Sequence, residues 1–315
     1  MPAIRAEGCL RIGYMGSPEI SAAVLSALAR EHEIACVISN PDKPRGRSGE
    51  LQPTAVSAVA LSHGWPLHRP VTLKDGGMEG VLQAHDLDLF FVFAYGRILP
   101  PSIFELPRHG SVNLHASILP EFRGASPIQA SLLAGAKVTG WTLQKIAPDL
   151  DAGDILATRE VNVDLQDRAL ELTQKLMPAG ISLSLECLRN LEALLKSATP
   201  QDHARATFCK KITRESARID WAASAFEIHN LVRAYFPSPV AWTTLGGKNA
   251  KILRTMPQEL ALKSTSPGQI WQEKDRLFVC TGSGWIEILE VQLEGKKALP
   301  AADFLKGFRG PPAFV

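Results

Sequence analysis

Cysteine is scarce in this 315-residue chain: Cys9, Cys36, Cys187, Cys209 and Cys280 form an odd, scattered set without a CxxC pair. Neither a disulfide framework nor a cysteine zinc site follows from such spacing, and buried reduced thiols are expected instead. No apolar run is long enough to cross a bilayer, and Arg5 and Glu7 precede the first apolar stretch, unlike a secretory leader. The expectation is a cytoplasmic protein with no membrane attachment. There is no HExxH or similar spacing, so no metal is expected, and no Ser or Cys sits in a nucleophile elbow, which argues against a covalent enzyme intermediate. The segment Met15-Gly-Ser-Pro18 has one glycine where a dinucleotide fingerprint has three, so a nicotinamide cofactor has little support. Internal repeats and low-complexity tracts are missing too.

What is present reads as an ordinary globular protein, with 45% hydrophobic and 21% charged residues. The length favours two domains. The net charge of +2 hides an asymmetry: residues 1–200 hold 18 Lys and Arg against 21 Asp and Glu, whereas residues 201–315 hold 16 against 11, a balance of +5. A polyanion-binding surface needs such a local excess, although a solvated lysine-rich face would give the same count.

Leu10–Met15 is a short apolar strand. The Gly16-Ser-Pro18 turn leads into a helix with Ile20, Val24, Leu25 and Leu28 at helical spacing, Ser17 as N-cap and Pro18 in the first turn. Ile34–Ile38 and Leu87–Phe93 are further strands, the latter after a helix around 53–63. Continuous apolar strands of this kind are buried on both faces, as in a parallel sheet. The fold class expected is α/β, a Rossmann-like mostly parallel sheet forming a catalytic domain over 1–196, closed by a helix over 166–196 that is interrupted at Met177-Pro178. Ser197–Gln201 opens a linker over 197–212. Residues 213–315 then carry a helix through Phe226, Leu231 and Val232, a Pro237-Ser-Pro239 break, and five short strands near 240–242, 250–253, 268–271, 277–280 and 285–289. These suggest a small OB-like β-barrel.

The chemistry concentrates in Ser111–Gln129 and in Asp149-Leu-Asp-Ala-Gly-Asp154. Asn113 and His115 are two apart, so on a strand they leave the same face, at the carboxyl end where open α/β sheets place ligands. Aimed at one oxygen, they would stabilise charge developing in a tetrahedral intermediate. Asp151 could orient His115, raise its basicity or help remove a proton from an attacking amine. The chemistry is thus direct transfer of an acyl-type group to a nucleophile brought by a substrate. Taken singly, each residue is as readily a satisfied structural group or a turn; their combination points to a site.

Asn113-Leu-His115, Ser117-Ile-Leu-Pro-Glu-Phe-Arg-Gly-Ala-Ser-Pro-Ile128 and Leu150-Asp-Ala-Gly-Asp154 together resemble the signature of enzymes that use 10-formyltetrahydrofolate. Three more segments resemble the methionyl-tRNA formyltransferases within that superfamily: the basic loop Asn40–Arg47, the stretch Lys210–Trp221 and Gly295-Lys-Lys297. The resemblance covers nearly the whole chain. It implies 10-formyltetrahydrofolate as formyl donor, charged initiator tRNA as acceptor, and Asn113, His115 and Asp151 as the catalytic set. It further implies folate contacts at Tyr95, Gly96, Ile98, Ser117, Leu119, Pro120, Asp149 and Asp154, and tRNA contacts at Lys43, Arg45, Arg47, Lys210 and Lys211. Tyr95 is equally readable as a core or rim aromatic. Monomer is the default expectation.

The chain departs from the family pattern at Ala147, Asp149, Ser126 and Trp141, in segments expected to wall the site. Amino-sugar formyltransferases are the nearest rival, because they too carry a small second domain; the basic loop and the basic 201–315 segment argue against them. A catalytically idle tRNA- or folate-binding protein would have no need of an intact motif.

Overall fold

The computed structural model describes residues 8–45, 49–259, 266–308 and 313–315. They fall into two compact units, one of Met1–Pro127, Thr139–Val161 and Lys175–Cys209, the other of Ile128–Val138, Asn162–Gln174 and Lys210–Val315.

In the first unit β1 (Arg11–Gly16) leads to α1 (Glu19–Leu28) and β2 (Glu33–Ile38), followed by a small antiparallel hairpin of β3 (Lys43–Arg45) and β4 (Glu50–Gln52). Next comes α2 (Ala55–His63), capped by the Thr54 hydroxyl accepting the Ser57 N–H and ended by Gly64 at φ 67°. After β5 (Leu67–His68), α3 (Glu79–Gln83), β6 (Leu89–Phe93) and α4 (Pro101–Phe104) come β7 (Ser111–His115), β8 (Arg123–Gly124) and α5 (Pro127–Leu133), which from Ile128 on is counted with the second unit. The chain continues through β9 (Val138–Lys145), β10 (Ile155–Asn162), α6 (Ala169–Arg189), whose residues up to Gln174 are also counted with the second unit, α7 (Leu191–Lys196) and β11 (Phe208–Cys209).

Seven strands form one sheet in the order β10-β9-β7-β6-β1-β2-β5. The pairs β5–β2, β2–β1, β1–β6 and β6–β7 are parallel, and β7–β9 is antiparallel. This is the mostly parallel, Rossmann-like sheet expected from the sequence. All five residues of β6, Leu-Phe-Phe-Val-Phe, are buried, because an interior strand covered on both faces has no solvent side. The chain runs outward from β1 to β5 and then returns to β6 on the other side of β1, so the carboxyl ends of β1, β6 and β7 border the crevice where such sheets bind ligands.

Three local expectations need correction. Ser17 does not cap α1; Pro18 occupies that position, and the Ser17 hydroxyl instead accepts from the Asn40 side chain at 2.8 Å. α6 is not interrupted at Pro178, which lies inside a continuous helix of 21 residues; the break falls at Asn190. Leu176, Leu183, Cys187 and Leu188 are buried on either side of Pro178, and burial along that stripe outweighs the one backbone bond proline removes. Trp141 does not wall the ligand crevice. Its indole donates to the Leu176 carbonyl at 2.7 Å and meets Phe93 edge-on, on the opposite face of β9 from Thr142 and Gln144.

In the second unit α8 (Ala225–Ala234) begins in a reciprocal capping box between Ser224 and Glu227. Its inward stripe is Ala225, Ile228 and Val232 rather than one including Phe226, which is 59% exposed. Then follow β12 (Trp242–Leu245), β13 (Lys248–Gln258), β14 (Ile270–Glu273), β15 (Arg276–Cys280), β16 (Trp285–Leu293), β17 (Leu299–Pro300) and α9 (Ala301–Gly307). The antiparallel order is β12-β13-β16-β15-β14, with β17 on β16. Residues 313–315 reach both edges: Phe314 bridges Leu245 of β12, and Ala313 bridges Gln269, the residue before β14. They thereby close the sheet around a core that includes Ile228, Ile252, Val279, Ile286 and Phe314. Among the described residues no helix is long and apolar enough to cross a membrane.

Candidate active site

Asn113 and His115 end β7, and across the antiparallel pair they face Gln144 and Thr142 of β9. Side chains alternate along a strand, so these four line one face and form the floor of the crevice. The third sequence candidate, Asp151, comes over that floor from the turn between β9 and β10. Its backbone is left-handed, with φ 49°. The turn fits against β9 only because residue 153 is glycine; a Cβ there would lie 1.9 Å from the Lys145 carbonyl oxygen.

The Asp151 carboxylate gathers the site. Its Oδ2 accepts the Gly124 backbone N–H at 2.8 Å, and its Oδ1 accepts from Gln144 Nε2 at 3.1 Å and from Asn113 Nδ2 at 3.4 Å. His115 Nδ1 stands 3.7 Å from Oδ2. The other ring nitrogen, Nε2, lies 2.9 Å from the Phe122 carbonyl oxygen, which can only accept, so Nε2 carries a hydrogen. Nδ1 is therefore the nitrogen free to exchange a proton in the crevice. Phe122 is also left-handed, at φ 58°. Two non-glycine residues of this kind in one site cost about 1–3 kcal/mol each, a strain that the surrounding bonds must hold in place.

A strap of residues 199–209 supplies those bonds, although the sequence reading made it part of a linker. Thr199 pairs with Ile155. The Thr207 hydroxyl accepts from the Phe122 N–H at 2.8 Å and its carbonyl from the Arg123 N–H at 2.9 Å. β11 then pairs in parallel with β8. Gly124, at φ 118°, is required for that approach, since a Cβ would come within 2.3 Å of the Cys209 carbonyl oxygen. Burial pushes the Cys209 thiol pKa up, and its sulfur accepts the Ser126 N–H at 3.3 Å. A departure from the family pattern thus does border the site at Ser126.

The structure brings Asn113, His115 and Asp151 together. The other expected residues divide. Ser117 is fully buried and donates to the Glu121 carbonyl at 2.6 Å; the Leu119 N–H donates to Thr142 Oγ1 at 3.0 Å; the Pro120 carbonyl accepts from Thr207 at 3.3 Å. All three build the loop from within. Tyr95 is a core residue packed with Met15, Ile38 and Leu73, and its hydroxyl is buried without a partner, which raises its pKa by desolvation. Gly96 is exposed and left-handed, and Ile98 is 67% exposed. Asp149 is exposed, and Asp154 stands 3.5 Å from Lys145 Nζ. Lys43 is exposed on β3, where Arg45 pairs with Glu50, while Arg47 lies outside the described residues. Lys210 and Lys211 are exposed in the second unit.

Sequence reasoning missed Gln144, Gln201 and the Gly124 N–H, and assigned no role to Arg123. Thr142 and Gln144 alternating with Trp141 and Leu143 was a readable signal of a polar face. Gln201 gave no local signal. Among the described residues no group of three or more His, Cys, Asp or Glu is placed to hold a metal ion.

Residues 11–187 match the family model described as formyl transferase, and residues 211–309 match its C-terminal domain. A methionyl-tRNA formyltransferase of Leptospira interrogans is 40% identical over 308 residues, covering 95% of this chain and 98% of that protein. One from Acidobacterium capsulatum is 40% identical over 301 residues, covering 95% and 96%. The chain belongs to the methionyl-tRNA formyltransferase family. Solved structures of similar fold include WlaRD, a sugar 3N-formyl transferase, with a TM-score of 0.65, 19% identity and coverage of 91% of this chain and 99% of that one. HypX from Aquifex aeolicus in complex with tetrahydrofolic acid has a TM-score of 0.61, 19% identity and coverage of 94% and 47%. Against this family background, the cluster at the end of β7 falls wholly within the stretch matched by the first family model, as do Gln144 and Arg123; Gln201 falls between the two matched stretches.

Proposed function

We infer that the chain transfers a formyl group from 10-formyltetrahydrofolate to the amino group of methionyl initiator tRNA, in the cytoplasm and without a metal. The observation that carries this reading is the convergence of Asn113, His115 and Asp151 at the carboxyl end of β7, in a chain 40% identical to methionyl-tRNA formyltransferases over 95% of its length.

In this mechanism Asn113 Nδ2 hydrogen-bonds the formyl oxygen as charge develops there, using the amide hydrogen not directed at Asp151. His115 Nδ1 takes a proton from the attacking amine; with Nε2 held by Phe122, the ring then carries a positive charge, which the Asp151 carboxylate 3.7 Å away compensates. The same Nδ1 returns that proton to the departing folate nitrogen. One carbon–nitrogen bond forms, one breaks, and the proton passes between the two nitrogens. The Gly124 N–H keeps Asp151 Oδ2 in place throughout.

For the donor, the exposed Gly96 and Ile98 after β6 and the exposed Leu150 beside Asp151 would offer apolar and backbone edges to a flat heterocycle. Tyr95 contributes through the fold rather than through its hydroxyl, since its ring lies in the core. For the acceptor, Lys43, Arg45 and Arg47 on the loop after β2, with Lys210 and Lys211, would contact tRNA phosphates, and residues 213–315 would form the tRNA-binding domain, with the protein a monomer.

The test is formyl transfer from 10-formyltetrahydrofolate to charged initiator tRNA, run beside a nucleotide-linked amino sugar. Transfer to the tRNA alone is expected. Transfer to the sugar alone would replace the acceptor assigned here, and transfer to neither would remove the enzymatic reading.

A further inference from the structure

We propose that Arg123, Gln201 and Gln144 form a one-way hydrogen-bond chain that positions the Asp151 carboxylate, with Gln201 the central positioning residue. The proposal rests on the assignment of Asp151 to the reacting centre. All three side chains are buried, Arg123 at 4%, Gln201 at 6% and Gln144 at 2% exposure. None of them was picked out by chemistry in the sequence, and Gln201 comes from the strap rather than from the sheet.

The sense of the chain follows from its ends. A guanidinium can only donate, and Arg123 Nε and Nη2 stand 3.2 and 2.7 Å from Gln201 Oε1. That fixes which way the Gln201 amide faces, so its NH2 group points away from Arg123. There its two hydrogens are shared among three acceptors, the Gly153 carbonyl at 2.7 Å, the Asp151 carbonyl at 3.0 Å and Gln144 Oε1 at 3.2 Å. With its oxygen engaged, Gln144 turns its own NH2 to Asp151 Oδ1 at 3.1 Å. The far end, a carboxylate, can only accept. An amide flipped at either glutamine would set oxygen against oxygen or NH2 against NH2 among buried side chains. Each link therefore orients the next, and the positive end is delivered to Asp151 without a direct ion pair.

Gln201 also holds the turn itself. Its NH2 group reaches the carbonyls of both Asp151 and Gly153, the residue in left-handed conformation and the glycine that lets the turn sit on β9. It thus fixes the backbone that carries the carboxylate and, through Gln144, the rotation of the carboxylate. A simpler role would be a staple that fastens the strap to Arg123. The two roles part at Gln201→Glu: a carboxylate keeps and strengthens the bond to Arg123, so a staple survives, but the NH2 group that orients Gln144 and the turn is gone.

The experiment uses the full chain with single-turnover formyl transfer, kcat and KM for both substrates, and thermal melting. Gln201→Glu is expected to melt lower, because its second oxygen faces three acceptors, and to keep both KM values while kcat falls about 10- to 100-fold, the loss associated with one or two charge-assisted hydrogen bonds. Gln144→Met, which breaks the next link with little change in volume, is expected to lose a similar factor. The double variant should lose no more than the worse single one, because one chain can be broken only once. A wild-type kcat in Gln201→Glu, or losses that multiply in the double variant, overturns the proposal. If Gln201→Glu fails to fold, Gln144→Met decides alone by the same criterion. Asp151→Asn keeps two failures apart: full activity there removes the catalytic assignment, whereas an inactive Asp151→Asn beside a fully active Gln201→Glu removes only the chain.

Discussion

Asp151→Asn changes one atom and gives the sharpest test of the site. In the native arrangement both carboxylate oxygens accept, Oδ2 from Gly124 and Oδ1 from Gln144 and Asn113. An asparagine must present NH2 on one side. Facing Gly124, it opposes a backbone N–H; facing Gln144 and Asn113, it opposes two side-chain NH2 groups. Either way at least one buried donor loses its acceptor, at a cost of about 1–3 kcal/mol in stability. Under the proposed mechanism the larger effect is chemical, because the negative charge 3.7 Å from His115 Nδ1 is lost when that nitrogen accepts a proton. Losing a positioned acid–base partner lowers turnover by roughly 10²–10⁴-fold, about 3–5 kcal/mol of transition-state stabilisation. Single-turnover formylation of charged initiator tRNA, beside a melting curve, reads both quantities. A variant that melts slightly lower but turns over at the wild-type rate would refute the reasoning and leave Asp151 a structural turn residue.

Gly180→Ala should destabilise, reversing the gain of roughly 1 kcal/mol that this change gives in an exposed helix interior, because the added Cβ would lie 2.7 Å from the Trp141 indole. Chemical denaturation of the variant measures the sign. Acidification should weaken the fold through buried and half-buried histidines: desolvation lowers the pKa of His32, His68, His85 and His229, so the unfolded chain protonates first. Their contribution is complete above the unfolded histidine value, near 6.5, and is lost as pH falls from there through the lower folded values; replacing His229, whose ring bonds Thr255 and the Leu165 carbonyl, should flatten that part of a stability–pH curve if the account is right. Affinity for charged tRNA should fall steeply with salt, and Lys210→Glu with Lys211→Glu should reduce both affinity and slope by about two counterions; an unchanged slope would place the tRNA elsewhere.

The parts of this protein legible in its sequence are those whose signal is local. Apolar runs such as Leu89–Phe93 announce buried strands, and the two-residue spacing of Asn113 and His115 announces a shared face. Local reading failed where tertiary packing decides. Pro178 stays within α6 because buried residues on both sides hold the helix together, and Phe226 faces outward because the inward stripe is set by α8's partners rather than by hydrophobicity alone. Trp141, a departure from the family pattern, proved remote from the chemistry because strand parity puts it on the other face. Gln201 was illegible for the plainest reason: it acts on residues about 50 positions away, and no motif records such a meeting.

The row of backbone amides from Phe122 to Ser126 has a further meaning for dynamics. In order, those five N–H groups go to Thr207 Oγ1, the Thr207 carbonyl, Asp151 Oδ2, the Cys209 carbonyl and Cys209 Sγ. None is held by its own neighbourhood; every acceptor lies at least 27 positions further along the chain. Hydrogen exchange at this stretch therefore cannot proceed by the fraying of a turn. Four of the five amides open only when the strap lifts, and the middle one only when Asp151 lets go. A deuterium-uptake time course confined to these residues would time the assembly of the Asp151 cluster from within the native state: uptake by the four together marks undocking of the strap, and separate uptake at Gly124 marks movement of the carboxylate alone.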